Sequence, residues 1–114
     1  MYIIVDQNGK KIAHISNMII LDAEREKVLG ILIGDCFFGK SPKVVGKIFN
    51  SSTYLINGEI VGKVEQNKEL KSSSIKKVQL LEAWDILSNI KEHTCDWIKE
   101  TKKWSKKSLE EHLS

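Results

Sequence analysis

The feature that most constrains the fold is a short motif that returns every 16 residues in the first half of the chain. Each copy has two apolar residues followed by a glycine or, in the first copy, by a histidine. The four copies end at His14, Gly30, Gly46 and Gly62. A unit of 16 residues is too short to bury a core alone, so the four units must pack against one another.

Each unit also has the composition of a β-hairpin. An apolar run opens the unit and a polar, turn-like stretch follows it. The apolar runs are Tyr2–Val5, Met18–Leu21, Cys36–Phe38 and Tyr54–Ile56. Asn8-Gly9 and Asn57-Gly58 favour tight turns because both residue types tolerate a positive φ. The second turn, Ala23–Glu26, has no glycine, so a short helical turn is the alternative at this position. We therefore expect four tandem hairpins over residues 1–65, with the first strands uncertain in register by one or two residues.

The recurring glycine has two structural interpretations. It lies where two backbones come close together, or it marks a β-bulge at the end of a strand. Both interpretations concern the fold, and neither implies catalysis.

The composition changes after Val64. Residues 66–74 are polar and are predicted to be a linker, in which Ser72, Ser73 or Ser74 caps a helix. No glycine or proline interrupts the chain from Ile75 to Glu111. A long amphipathic helix is therefore predicted over residues 75–114, with a possible break near His93–Cys95. Its apolar stripe has helical spacing and consists of Leu80, Ala83, Trp84, Leu87, Ile90, Thr94, Trp97, Ile98, Thr101 and Trp104. The predicted fold class is thus α+β, an all-β four-hairpin domain followed by a long C-terminal helix.

The second half of the predicted helix combines tryptophan with many lysines. The candidate partner-binding residues are Trp97, Trp104, Lys99, Lys102, Lys103, Lys106 and Lys107. Three interpretations remain open for them. The face is solvated and its tryptophans belong to the core, or it is a surface for a protein partner or for self-association, or it contacts a membrane or a nucleic acid. The whole chain has 18 Lys and Arg against 15 Asp and Glu, which disfavours a strongly basic nucleic-acid packager.

The sequence contains no recognisable enzyme motif. Nucleotide-binding, zinc-protease and serine-hydrolase signatures are all missing, so we expect no catalytic residues, no metal and no cofactor. Cys36 with His14 is the one conceivable nucleophile pair, but a small buried thiol explains Cys36 better. His93 and Cys95 stand two residues apart on the predicted helix, so they face different directions and form a poor metal pair.

The compartment is predicted from the N-terminus and the cysteines. The first residues are apolar and the basic residues come later, which is the reverse of a secretory signal. No apolar stretch approaches the length of a transmembrane helix. Cys36 and Cys95 lie far apart in the sequence. We expect a cytoplasmic protein with two thiols, and a single disulfide is the alternative for a secreted protein.

Four segments resemble the four-fold β-flower domain of small bacterial proteins. They are DQNGKKIAH, KVLG, SPKVVGKI and INGEIVGKV, and together they cover about residues 2–65. The resemblance implies a fold but no activity and no site residues. His14 in place of the repeat glycine and the missing glycine in the second turn depart from strict four-fold symmetry. The segment Val5–Asp22 also resembles PRC-barrel domains, although less closely.

We therefore expect a non-catalytic protein-interaction module that acts as an adaptor or an inhibitor. The helix rich in Trp and Lys would dock on a partner or would form a homo-oligomer. The small size and the lack of motifs also fit a phage or mobile-element inhibitor of a host defence nuclease. Weak binding to nucleic acid or to a membrane surface is the remaining alternative.

Overall fold

The computed structural model describes residues 2–66, 75–90 and 97–114. Eight antiparallel strands follow one another around a closed barrel, and the last strand pairs with the first. The strands are β1 (Tyr2–Val5), β2 (Lys11–Ser16), β3 (Ile19–Asp22), β4 (Val28–Ile33), β5 (Cys36–Phe38), β6 (Val44–Phe49), β7 (Ser52–Leu55) and β8 (Ile60–Gln66). Two helices follow, α1 (Lys77–Asn89) and α2 (Leu109–Leu113).

The predicted fold class is wrong in its second half. The chain has no long C-terminal helix, because α1 has 13 residues, α2 has five, and residues 97–108 between them contain no helix. We call residues 97–108 the tail. The predicted linker, residues 66–74, lies outside the described residues except for Gln66, which ends β8.

The tail runs along the barrel because β8 offers it backbone partners. The amide of Ile60 donates to the carbonyl oxygen of Lys103 (2.7 Å), and the amide of Ser105 donates to the carbonyl oxygen of Ile60 (2.8 Å). The amide of Thr101 donates in the same way to Gly58 (3.1 Å). These bonds, with the burial of Ile98, replace the hydrogen bonds of a helix. Tertiary contacts therefore override the helical spacing of the sequence.

The four hairpins share one irregularity, a β-bulge in the second strand of each. In the first hairpin Ile4 pairs with Ala13 and Val5 pairs with Lys11, so that Ile12 has no opposite residue. The equivalent unpaired residues of the other hairpins are Leu29, Val45 and Val61. The residue after each bulge is Ala13, Gly30, Gly46 or Gly62. Ala13, and not His14, is therefore the structural equivalent of the three glycines, which moves the register of the first unit by one residue.

The glycine positions combine both expected roles, since they follow a bulge and allow close approach. A Cβ atom added at Gly46 would collide with the carbonyl oxygen of Tyr54 and would lie 2.7 Å from the ring of Phe37. A Cβ atom at Gly30 would collide with the carbonyl oxygen of Phe38. The absence of a side chain thus lets neighbouring strands and the ring of Phe37 fill the interior.

The interior of the barrel is closed at one end by α2. Leu109 and Leu113 are fully buried in one cluster with Ile4, Ile20 and Phe37. The four unpaired bulge residues pack in or against the same cluster: Ile12, Leu29, Val45 and Val61. The amide of Lys40, in the turn after β5, donates to the carbonyl oxygen of Leu113 (2.9 Å). α2 is therefore part of the barrel core and seals the end where the longer turns lie.

Two further apolar clusters cover the outside of the barrel. On β3 to β5, Leu21, Ile31 and Phe38 pack against Ala83 of α1, and Ile86 and Ile90 of the helix pack beside it. On β7 and β8, the cluster of Tyr54 and Ile60 packs against Ile98 and Trp104 of the tail. The barrel wall is thus buried on both faces wherever α1 and the tail lie.

Candidate binding surfaces

The end of the barrel opposite α2 is open and holds a cavity of about 440 Å³. Four aliphatic side chains line its floor, and each follows a bulge by the same distance along the chain: Ile15, Leu32, Ile48 and Val64. They stand two residues after Ala13, Gly30, Gly46 and Gly62. The sequence repeat therefore builds an apolar ring, one residue from each hairpin. We call this space the mouth cavity.

Tight turns surround the mouth cavity and hold its ring in place. Asn17 and Met18 join β2 to β3 with φ of 50° and 67°, as in a type I′ turn. Three residues of the apolar ring donate backbone hydrogen bonds to these turns. The bonds run from Leu32 N to Met18 O (2.8 Å), from Ile48 N to Asp35 O (2.7 Å) and from Val64 N to Ser51 O (2.9 Å). A left-handed backbone at Met18 costs about 1 kcal/mol. These bonds offset that strain and fix the shape of the rim.

Four polar side chains line the mouth cavity, one at the start of β1, one at the end of β2 and two in turns. They are Tyr2, Ser16, Asn17 and Asp35. Among the described residues that line the cavity, Asp35 alone carries a charge. The site therefore has an apolar floor with one carboxylate at its rim.

A groove between α1 and the barrel adjoins the mouth cavity. It has a volume of about 190 Å³, and its walls include Ile19 and Ile31 from the barrel with Leu80, Trp84 and Leu87 from α1. The mouth cavity and the groove share Asn17, Met18 and Leu32. Trp84 is 65% exposed and Met18 is 54% exposed. A continuous apolar surface therefore joins the open end of the barrel to the helix.

The outward side of α1 is apolar over much of its length. We define the α1 strip as its exposed large hydrophobic residues: Val78, Leu80, Leu81, Trp84 and Leu87. The helix packs on the barrel through Ala83, Ile86 and Ile90 instead. The predicted stripe is therefore split, because Ala83 and Ile90 pack on the barrel while Leu80, Trp84 and Leu87 line the groove and stay exposed to solvent.

A buried glutamine determines this orientation of the helix. The Nε2 of Gln79 donates to the carbonyl oxygens of Arg25 (2.9 Å) and Glu26 (3.0 Å), and its Oε1 accepts from the amide of Lys76 (3.0 Å). Sequence reasoning missed Gln79. The available signal was that Gln79, Ala83, Ile86 and Ile90 are spaced as regularly as the stripe.

The two predicted partner-binding tryptophans lie on the tail and have different surroundings. Trp97 is 78% exposed. Its ring centroid lies 5.8 Å from that of Phe49, and Lys47 Nζ lies 5.6 Å from the Trp97 ring. Trp104 is half-buried against the cluster of Tyr54, Ile60 and Ile98. Trp104 therefore contributes to packing, whereas Trp97 is available to a partner.

The predicted basic residues are exposed, but they lie on the tail and not on a helix. They are Lys99, Lys102, Lys103, Lys106 and Lys107. The one acidic side chain among them is engaged, because Tyr54 Oη donates to Glu100 Oε2 (3.0 Å). Burial also raises the pKa of Tyr54. The lysines thus form an exposed basic segment on a backbone that β8 holds in place.

The structure does not bring His14 and Cys36 together as a nucleophile pair. His14 is buried in β2, with its Nδ1 3.2 Å from the carbonyl oxygen of Asp22, and burial lowers its pKa below the ordinary 6.5. Cys36 lies in β5, which β3 and β4 separate from β2. Cys36 is buried and disulfide-bonded, so the expectation of a thiol is wrong for it. His93 and Cys95 lie outside the described residues.

Other kinds of site find little support in the part of the chain that the structure describes. There, no three His, Cys, Asp or Glu side chains are grouped closely enough to hold a metal ion. Neither of the two helices has the length and apolar character that crossing a membrane requires.

Comparison of the chain with protein-family models, curated proteins and solved structures finds no match.

Proposed function

We propose that the chain is a non-catalytic protein-interaction module that docks through the α1 strip. The observation that supports this proposal is that five of the 13 residues of α1 are large hydrophobics exposed to solvent. Single exposed hydrophobic residues are common on proteins, but a contiguous patch beside a groove marks an interaction site. The helix packs on the barrel through Ala83, Ile86 and Ile90, so the exposed area of the strip remains available to a partner.

The partner that best fits the α1 strip is a second copy of the chain. A two-fold interface brings the same surface of both copies together, so an apolar strip is complementary to itself. In an antiparallel pair of α1 helices, Leu81 and Trp84 of each copy lie near the centre of the interface.

Analytical ultracentrifugation over a range of concentrations tests this proposal. We expect a reversible dimer. Its dissociation constant should rise by about tenfold or more in Trp84→Ala. Trp97→Ala is the matched control, because it removes an even more exposed tryptophan outside the strip and should leave the constant unchanged. A chain that stays monomeric at all soluble concentrations, or a dimer equally weakened by both variants, contradicts the proposal.

The biological role, the origin and the compartment of the protein stay predictions. An adaptor or an inhibitor is the role that fits a dimer with two rigid barrels, and no feature of the structure favours a phage or mobile-element origin. A cytoplasmic location is also a prediction. The disulfide of Cys36 speaks against it, because such bonds persist mainly in oxidising compartments.

The exposed basic segment supports a second candidate, weak binding of a polyanion such as nucleic acid. Its five lysines lie within nine residues of the tail, and all are exposed. A gel shift at low salt tests this candidate, because counterion release makes such binding strongly salt-dependent. The shift should disappear when the five lysines are replaced by Gln. Absence of a shift in the unmodified protein would end this interpretation.

A further inference from the structure

We propose that the mouth cavity binds a small amphiphile with an apolar body and a cationic head group. The proposal does not depend on the function of the α1 strip, because the ring that forms the floor contains no residue of α1. It rests on the shape of the open end, on the composition of the ring and on the single charge at the rim.

The apolar part of the site is large enough for a ligand. A volume of about 440 Å³ lies within the range of roughly 300 to 1,000 Å³ of small-molecule pockets. Below the ring, the barrel is filled by Phe37 and Ile4, both fully buried. The ligand body therefore rests on Ile15, Leu32 and Ile48 and does not enter the barrel. Mouths of small β-barrels are a common place for such sites.

The rim selects the charge of the head group. The carboxylate of Asp35 is the one charge among the described lining side chains. No lysine or arginine lines the cavity in that part of the chain. Tyr2 and Asn17 add neutral groups that accept or donate hydrogen bonds. An ammonium group is therefore favoured over a carboxylate, although Asp35 is exposed and the preference is at most about fivefold, as for an exposed ion pair.

The site is also preformed. The turn carbonyls of Met18, Asp35 and Ser51 each accept the amide of a ring residue. The backbone around the cavity is therefore fixed before a ligand arrives, so binding requires little ordering of the protein.

Titration with hexylammonium, hexanol and hexanoate, followed by NMR of the backbone amides, tests the proposal. We expect each probe to shift the amides of Leu32, Ile48 and Val64. Affinity should fall from the ammonium to the alcohol to the carboxylate. The proposal is overturned if no probe shifts these amides, or if the carboxylate binds as tightly as the ammonium.

Two variants separate the head-group site from the apolar floor. Asp35→Lys changes an exposed rim residue and should reverse the order of the two charged probes without loss of fold. Leu32→Trp fills the cavity and should abolish binding of all three probes. Trp84→Ala is the control, because it weakens the α1 strip but leaves the cavity intact. This variant should bind all three probes as the unmodified protein does. An unchanged order of probes in Asp35→Lys overturns the assignment even if Leu32→Trp does not fold.

Discussion

Gly46 and Gly9 show that two glycines are required for different physical reasons. Gly46 has no space for a side chain, because a Cβ atom there would meet Tyr54 and Phe37. Gly9 has open space around it, but its φ is +80°. One position is constrained by packing and the other by backbone conformation, and the repeat in the sequence identifies only the packing position.

Substitutions at these two glycines should follow opposite orders. At Gly9, Asn should be tolerated better than Ala, because Asn adopts a left-handed backbone more readily. At Gly46, Ala should reduce the free energy of unfolding by about 1–3 kcal/mol and Asn by more, since the collision grows with the side chain. Urea unfolding of the four variants measures both orders. The same order at both sites would contradict the structural difference.

His14 should make the stability of the protein depend on pH. Burial lowers its pKa in the folded state below 6.5, so the unfolded chain binds more protons in this range. The stability that neutral His14 contributes is present above pH 6.5 and is lost as the pH falls below that value toward the lowered pKa. His14→Gln removes the titrating group and keeps a donor for Asp22. Thermal melts should show that the wild-type protein loses stability relative to this variant as the solution is acidified. A difference in stability between the two proteins that stays constant at all pH values would show that His14 does not titrate in this range.

The two tail tryptophans should behave differently when truncated. Trp97→Ala should change the free energy of unfolding by less than about 0.5 kcal/mol, as for most surface substitutions. Trp104→Ala should cost about 2 kcal/mol, less than a fully buried tryptophan, because it is half-buried beside Ile60. Chemical denaturation of both single variants measures the difference. Equal losses would mean that the exposed Trp97 also belongs to the core.

At the scale of the element, α1 shows what the sequence leaves undecided. Leu80, Trp84 and Leu87 form one apolar row, while Ala83, Ile86 and Ile90 form another. Helical spacing alone cannot choose which row packs on the barrel. The choice comes from Gln79, whose amide binds two carbonyl oxygens in the turn before β4. The groove and the α1 strip follow from that choice, so neither could be predicted from the sequence.

Removal of the Gln79 amide should loosen α1 without unfolding the barrel. Gln79→Leu leaves the carbonyl oxygens of Arg25 and Glu26 without this donor, which costs about 1–3 kcal/mol. Hydrogen exchange should become faster in α1, whereas the strands should keep their protection. Glu82→Leu is the matched control, because Glu82 is exposed on the same helix. Equal exchange in both variants would show that Gln79 does not fix the helix.

At the scale of the whole molecule, the repeat predicts a β-rich first half, and the structure agrees at that level. The repeat does not reveal the closure of the barrel, because hydrogen bonds between β1 and β8 leave no local pattern. It also gives no sign of the tail or of α2, whose residues Ile98, Leu109 and Leu113 resemble positions of an amphipathic helix. These residues find better burial on the barrel than in a helix. The mouth cavity is a consequence of closure and was equally hidden.

Truncation of the α2 leucines should destabilise the entire barrel. The double variant Leu109→Ala with Leu113→Ala removes two fully buried side chains from the interior and should cost at least about 4 kcal/mol. Ile56→Ala with Trp97→Ala is the control, since it removes two exposed side chains outside the α1 strip and should cost less than about 1 kcal/mol. Circular dichroism during heating reports both. A small loss in the first variant would show that α2 is not part of the core.

The pairing of β1 with β8 joins Tyr2 to Gln66, while every other ladder joins neighbours along the chain. Hairpins of such short span form quickly, whereas this last ladder must overcome the entropy of closing most of the barrel sequence. Until it forms, two complementary edges remain unsatisfied. At high concentration during refolding, each edge meets the matching edge of another molecule. The pairing of β1 with β8 is therefore the place where domain-swapped species should arise.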